Sequence, residues 1–128
     1  MEEKTLIQNG FIIDGTGGKP RKESILIDKC SIKATGKDAD KLADSNDVIK
    51  IDASGKTIMP GLIDAHIHVT FDEPSSNDEL FFHRREALSA IIAAYNAKKV
   101  LYAGVTGFCD PDSLHSIGVD LRDAIKSG

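Results

Sequence analysis

At 128 residues the chain is long enough for one small domain or for a piece of a larger one. Apolar residues make up 41% and charged residues 28%, which argues against wholesale disorder, and a net charge of −4 disfavours a nucleic-acid partner, which would meet a basic face. No apolar run approaches the roughly 20 residues of a bilayer-crossing helix, so no membrane partner is expected. The start Met1-Glu2-Glu3-Lys4 lacks the basic-then-apolar order of a secretory signal. Cys30 and Cys109 lie far apart without CxxC spacing, and read as two reduced thiols of a cytoplasmic protein. Lys19, Arg21 and Lys22, and again Lys98 and Lys99, read as solvated surface.

Residues 1–57 read as short strands and turns. Thr5-Leu6-Ile7-Gln8 runs into Asn9-Gly10, a pair that tolerates positive φ and predicts a hairpin with Phe11-Ile12-Ile13. The glycine-rich stretch Gly15-Thr16-Gly17-Gly18-Lys19 lacks the spacing of a phosphate cradle, and Pro20 stands where a helix would need free N–H groups. It reads as a surface turn. Ser24-Ile25-Leu26-Ile27 is a strand, turning through Asp28-Lys29-Cys30 into a second strand, Ser31-Ile32-Lys33-Ala34. The polar residues 36–47 are loop or frayed helix, and Val48-Ile49-Lys50-Ile51-Asp52 is a further strand closed by Ala53-Ser54-Gly55-Lys56.

From Thr57 the pattern changes to strand, helix, strand, helix. Thr57-Ile58-Met59-Pro60-Gly61-Leu62-Ile63 leads into Asp64-Ala65-His66-Ile67-His68-Val69. Ser76-Asn77-Asp78-Glu79 has capping-box form and starts a helix, in which Leu88, Ile91, Ile92 and Tyr95 stand as an apolar stripe. Lys98 and Lys99 suit the end of that helix, and Gly104 terminates it. Val105-Thr106-Gly107-Phe108-Cys109 reads as a short buried strand ending at Asp110-Pro111, and a last helix carries Leu121 and Ile125, with Gly128 placed like a C-cap.

On a strand, side chains at i and i+2 share a face, so His66 and His68 point together and can converge on one divalent ion. They follow an apolar strand at the end where α/β barrels place their chemistry. Asp64 shares their face and can orient the site. A bland reading stands beside this one: an HxH triplet recurs by chance, and two inward histidines can be satisfied by hydrogen bonds alone. With only two histidines and no cysteine at ligand spacing, a structural zinc finger is ruled out.

The run Ile51-Asp52-Ala53-Ser54-Gly55-Lys56-Thr57-Ile58-Met59-Pro60-Gly61-Leu62-Ile63-Asp64-Ala65-His66-Ile67-His68 resembles the signature of the metal-dependent amidohydrolase superfamily. Leu101-Tyr102-Ala103-Gly104-Val105-Thr106 and Leu121-Arg122-Asp123-Ala124-Ile125-Lys126-Ser127-Gly128 resemble its branch of imidazolonepropionase-like enzymes and dipeptidases acting on Xaa-Pro or basic residues. The resemblance implies an α/β fold: an N-terminal β-sandwich segment, residues 1–57, then the first β–α units of an incomplete (β/α)8 metal-dependent hydrolase barrel, residues 58–128. It implies His66 and His68 as ligands of a divalent metal, with zinc expected and one or two ions in the complete family site. It also implies a small-molecule amide or dipeptide substrate, with homo-oligomers possible. Two features depart from the family pattern. Lys29-Cys30 occupies a turn where small residues are usual, and Gly107 stands where the second barrel strand usually has threonine.

The bridging carboxylated lysine, two further histidines and catalytic aspartate of the family have no counterpart here. Lys98 and Lys99 fall on a helix, and no catalytic residue is identified. Asp110 ends the second strand and can line a pocket or cap a loop. His83 reads as exposed, and His115 as a residue of a polar loop with little claim to a functional role. Phe81 and Phe82 can pack on the barrel or border a substrate entrance, and packing is the preferred reading. The expected function is the N-terminal part of a metal-dependent amidohydrolase cleaving C–N bonds other than ordinary peptide bonds, inactive as an isolated chain and a partner for the missing C-terminal portion. The alternative is a non-catalytic binding or interaction module derived from such an enzyme.

Overall fold

Three times in its first half the chain leaves one sheet and enters another without a turn back. The computed structural model describes residues 4–43, 47–72 and 74–128. Positions 1–3, 44–46 and 73, which include the acidic start and the end of the polar 36–47 stretch, lie outside the described residues. The chain divides into two compact units, Met1–Pro60 and Gly61–Gly128.

In the first unit, β1 (Lys4–Gln8) pairs antiparallel with β4 (Ile25–Asp28) and parallel with β6 (Val48–Asp52). The segments next to them, β2 (Phe11–Ile12), β3 (Arg21–Lys22) and β7 (Thr57–Ile58), repeat the same pairing in a second sheet. Strands that switch sheets at a bend are a recognised way of turning a corner. β5 (Ser31–Thr35) completes the four-stranded sheet, ordered β5-β4-β1-β6, beside the three-stranded β3-β2-β7.

The expected hairpin at Asn9-Gly10 is therefore replaced by a crossing between sheets. Asn9 does take a left-handed conformation, with φ of 68°, but the chain does not fold back. Gly10 lies against the second sheet: a Cβ there would meet Ile58 Cδ1 at 2.6 Å. The β4–β5 hairpin forms as expected, with Lys29 taking the positive φ of 57° that a small turn residue would otherwise supply. Helix α1 (Gly36–Leu42) fills part of the polar stretch and packs Ala39 onto Leu6 and Leu26, the centre of this unit's core. The glycine loop is a surface turn, held by the Asp14 carboxylate accepting from the Thr16 N–H and hydroxyl.

The second unit is a strand–helix–strand crossover with a helix appended. β8 (Leu62–Asp64) lies parallel to β9 (Val105–Phe108), joined through α2 (Glu86–Tyr102), and α3 (Ile117–Ser127) follows. Such a parallel pair needs a crossover connection, which α2 provides. The strands approach closely at Gly61, where a Cβ would collide with the Thr106 side chain. At Gly107 the missing side chain's space is taken by Ile63, whose Cδ1 lies 2.9 Å from where a Cβ would stand. β9 is only half-buried, short of the buried strand expected.

Two expectations about the long helix change. The helix does not run unbroken from Ser76: a π-helical turn at Glu79–His83 is followed by extended backbone at Arg84 and Arg85 before α2 begins. The Ser76 hydroxyl does cap its start, accepting from the Glu79 N–H at 3.0 Å. The buried face of α2 is Ser89, Ala93 and Asn96, while Ile91 is 69% and Tyr95 60% exposed. Small residues let α2 lie close over Val69 and Ile117, which with Ala93 form this unit's core. Both faces obey helical spacing, and the smaller one won.

Candidate metal centre

β8 stops at Asp64, so strand alternation alone does not bring the histidines together. Hydrogen bonds do. Asp64 O accepts from the Cys109 N–H at 2.9 Å, and the Ile67 N–H donates to Cys109 O at 3.0 Å. Pinning residues 64 and 67 to one residue of the neighbouring strand makes Ala65 and His66 bow outward, and the Asp64 carboxylate accepts the His66 N–H at 3.1 Å. The two imidazoles meet across the bow. Nε2 of His66 lies 3.2 Å from Nε2 of His68, with the rings edge-on at 82°.

His68 is held on two more sides. Its Nδ1 faces the Asp112 carbonyl at 3.4 Å and the Asp110 carboxylate at 4.0 Å. Phe71 stacks on its face, centroids 4.7 Å apart, and Phe81 meets Phe71 edge-on at 5.4 Å. Asp110 organises the adjoining loop: it accepts from the Val69 N–H at 3.3 Å, the Asp112 N–H at 3.3 Å and the Ser113 hydroxyl at 2.5 Å. Its side chain is only 6% exposed. Asp110 thus serves as a loop cap and as a neighbour of His68.

The segment after the histidines is tied at nearly every residue. The Asn96 amide donates to Val69 O at 2.9 Å, and the Leu114 N–H donates to Thr70 Oγ1 at 3.2 Å. Arg84 donates to Thr70 O and to Asp72 O, each at 3.4 Å, and its Nε and Nη2 clasp the Glu79 carboxylate at 2.9 and 2.8 Å. That bidentate contact holds the Glu79 carboxyl below its usual range and raises Arg84 above its own. Lys99 reaches Asp72 at 3.5 Å.

The donor set fits part of a metal site. Two imidazole nitrogens bound to one tetrahedral zinc stand about 3.3 Å apart, given bonds of about 2.0–2.1 Å. The observed separation, 3.2 Å, matches that spacing and also suits a ring-to-ring hydrogen bond. Among the described residues no group of three or more His, Cys, Asp or Glu side chains converges to hold an ion. His83 is exposed and pairs with Asp78 at 3.0 Å, and His115 is exposed in its loop; neither joins the pair. Phe81 is 46% exposed and packs edge-on against Phe71, whereas Phe82, at 79% exposed, departs from the packing role preferred for it. Sequence reasoning missed Phe71, Asn96 and the Arg84–Glu79 pair. Arg84 falls five residues after Glu79, a spacing that an α-helix does not bring together but the π-helical turn does, its Arg84 N–H donating to Glu79 O at 2.7 Å.

A parallel strand pair joined through a crossover helix, with two imidazoles meeting just beyond its C-terminal end, defines an α/β protein whose polar side chains gather where such folds place their chemistry. No family model matches the chain. It is 32% identical to an enamidase of Eubacterium barkeri over 118 residues, 90% of this chain and 27% of that one. Over 66 residues, 52% of this chain and 14% of the relative, it is 44% identical to a dihydroorotase of Caldanaerobacter subterraneus subsp. tengcongensis. Among solved structures it is similar to a Xaa-Pro dipeptidase with methionine bound in the active site, with a TM-score of 0.80 and 30% identity over 98% of this chain and 30% of that chain. The chain belongs to the amidohydrolase superfamily. It spans less than a third of the length of each of these proteins. No helix among the described residues is long and apolar enough to cross a membrane.

Proposed function

We propose that the chain is the N-terminal part of a metal-dependent amidohydrolase that hydrolyses an amide, cyclic amide or dipeptide C–N bond, with His66 and His68 as ligands of a divalent ion. The carrying observation is the approach of the two Nε2 atoms to 3.2 Å at the end of β8. Zinc suits two imidazole donors. Such an ion, when bound, supplies acidified water and a polarised carbonyl. The chain's own residues prepare the donors. With its proton on Nδ1, His68 donates to the Asp112 carbonyl and keeps the Nε2 lone pair free, while Asp110 accepts from the Asp112 N–H and steadies that residue.

In this reading residues 1–57 are the sandwich segment, while 58–128 hold the first two barrel strands, β8 and β9. The sheet-switching pairs of the first unit and the parallel crossover of the second support it. A catalytic zinc keeps three protein ligands. This chain offers two, so alone it binds metal weakly and turns nothing over; the remaining ligands and a proton-transferring carboxylate belong to later strands. The likeness to a Xaa-Pro dipeptidase favours the dipeptidase-like branch. The site of action is the cytoplasm, with both cysteines free.

The test is an assay of the chain, with added zinc, on N-acyl, cyclic-amide and Xaa-Pro substrates, beside a longer product encoded by the same gene. Turnover is expected only in the longer product, and His66→Ala or His68→Ala abolishes it. Turnover that survives both substitutions contradicts the reading. A chain that unfolds cooperatively as a monomer and ignores zinc favours the non-catalytic module.

A further inference from the structure

Arg84 is the most deeply buried cation described in the second unit, with a side chain 5% exposed. A solvated surface arginine needs no such burial, and placing a guanidinium there requires that its donors be met. They are met in a particular way. One edge clasps Glu79, and the other reaches the carbonyls of Thr70 and Asp72, the two residues flanking Phe71. Gripping both neighbours fixes the backbone of Phe71, whose N–H in turn donates to His68 O at 3.1 Å. The Phe71 ring then lies nearly parallel to the His68 imidazole, at 13°.

We propose that Arg84 is a positioning residue for His68: by bracketing Phe71 it seats that ring against the imidazole and aims His68 Nε2 at His66. This rests on the reading of the two histidines as metal ligands. The extended backbone at Arg84 and Arg85 is what turns the guanidinium inward toward the 70–72 carbonyls. Lysine at 84 can reach one acceptor as a point charge, but cannot bridge a carboxylate and two carbonyls with a planar fork.

The experiment uses the 128-residue chain and two readouts. Calorimetric titration with zinc measures affinity, and the 13C–1H resonances of the four histidines report ring contact without metal. In the wild type, His68 is shifted upfield by the Phe71 ring, whereas exposed His115 is not. Arg84→Gln is expected to move the His68 resonance toward the His115 position and to weaken zinc binding ~10-fold, as loss of a ligand-orienting contact typically does. Arg84→Lys is expected to recover thermal stability more than zinc affinity, a split that a purely structural role would not give. Folded Arg84→Gln with unchanged His68 resonance and unchanged affinity overturns the proposal. Should Arg84→Gln fail to fold, Arg84→Lys takes its place, since it cannot bridge Glu79 and both carbonyls, and an unchanged His68 resonance together with an unchanged zinc affinity in that variant overturns the proposal equally. A wild type that binds no zinc refutes the metal reading, and the resonance measurement still decides whether Arg84 positions the ring.

Discussion

Replacing Asn96 with alanine should loosen the segment that carries the histidines. The Asn96 side chain is buried on the inner face of α2, and its amide donates to Val69 O at 2.9 Å, one residue beyond His68. Removing the amide forfeits a net hydrogen bond of about 1 kcal/mol and leaves a buried carbonyl less satisfied, so the total should fall near 2 kcal/mol. For a unit of roughly 70 residues that lowers Tm by about 8–16 °C. Asn96→Leu is the control for volume: it refills the space but also lacks the donor, so it should recover little of the loss. Asn96→Asp should be worse than either, because it turns a carboxylate toward a carbonyl in a buried site. Urea unfolding followed by far-UV circular dichroism, with amide exchange in Gly61–Gly128, gives the numbers. An Asn96→Ala chain within about 0.5 kcal/mol of wild type, the range of an ordinary surface substitution, would refute the reasoning.

Three further expectations follow from particular contacts. Gly61→Ala drives a methyl into Thr106 at the closest approach of β8 and β9, and should cost about 1–3 kcal/mol in the same unfolding assay; an unchanged midpoint contradicts the packing. Asp110→Asn keeps one acceptor of the two that hold the Val69 and Asp112 amides, and should weaken zinc binding by roughly tenfold in a calorimetric titration; an equal affinity would separate that loop from His68. The Asp14 carboxyl is held down to about 2, first by the Thr16 hydroxyl, from an ordinary value of 3.8. Its folded value being the lower, its contribution is complete above the unfolded value and is lost as pH falls from there toward about 2. Asp14→Asn should therefore flatten the acid limb of stability against pH, and an acid limb unchanged by the substitution would contradict that assignment.

Local pattern sufficed for much of this molecule. β1, β4, β5, β6, α3 and the turn at Lys29 lie where alternation and turn chemistry put them, and the family motif identified the superfamily. Two matters escaped it for physical reasons. Which strands pair is a long-range question: Asn9-Gly10 has the chemistry of a hairpin, yet β1 takes β4 and β6 as partners while β2 takes β3 and β7, and a local motif cannot see them. Helical spacing likewise identifies stripes without saying which one is covered. Leu88, Ile91 and Tyr95 form a stripe as regular as Ser89, Ala93 and Asn96, and close approach to Val69 selects the smaller residues. At the site, the HxH spacing brought His66 and His68 forward, though the cause of their convergence is a bow pinned on Cys109. Arg84 and Phe71 were invisible, because a charged residue reads as solvent-facing until a partner for it is found.

The central claim is that His66 and His68 share one ion. X-ray absorption at the zinc edge, on the chain loaded with one equivalent of zinc, tests it most directly. The prediction is a first shell containing two imidazole nitrogens at about 2.0–2.1 Å with the remaining positions filled by oxygen, and loss of the imidazole scattering signature in His66→Ala and in His68→Ala. A shell without imidazole, or one that neither substitution alters, would contradict the account.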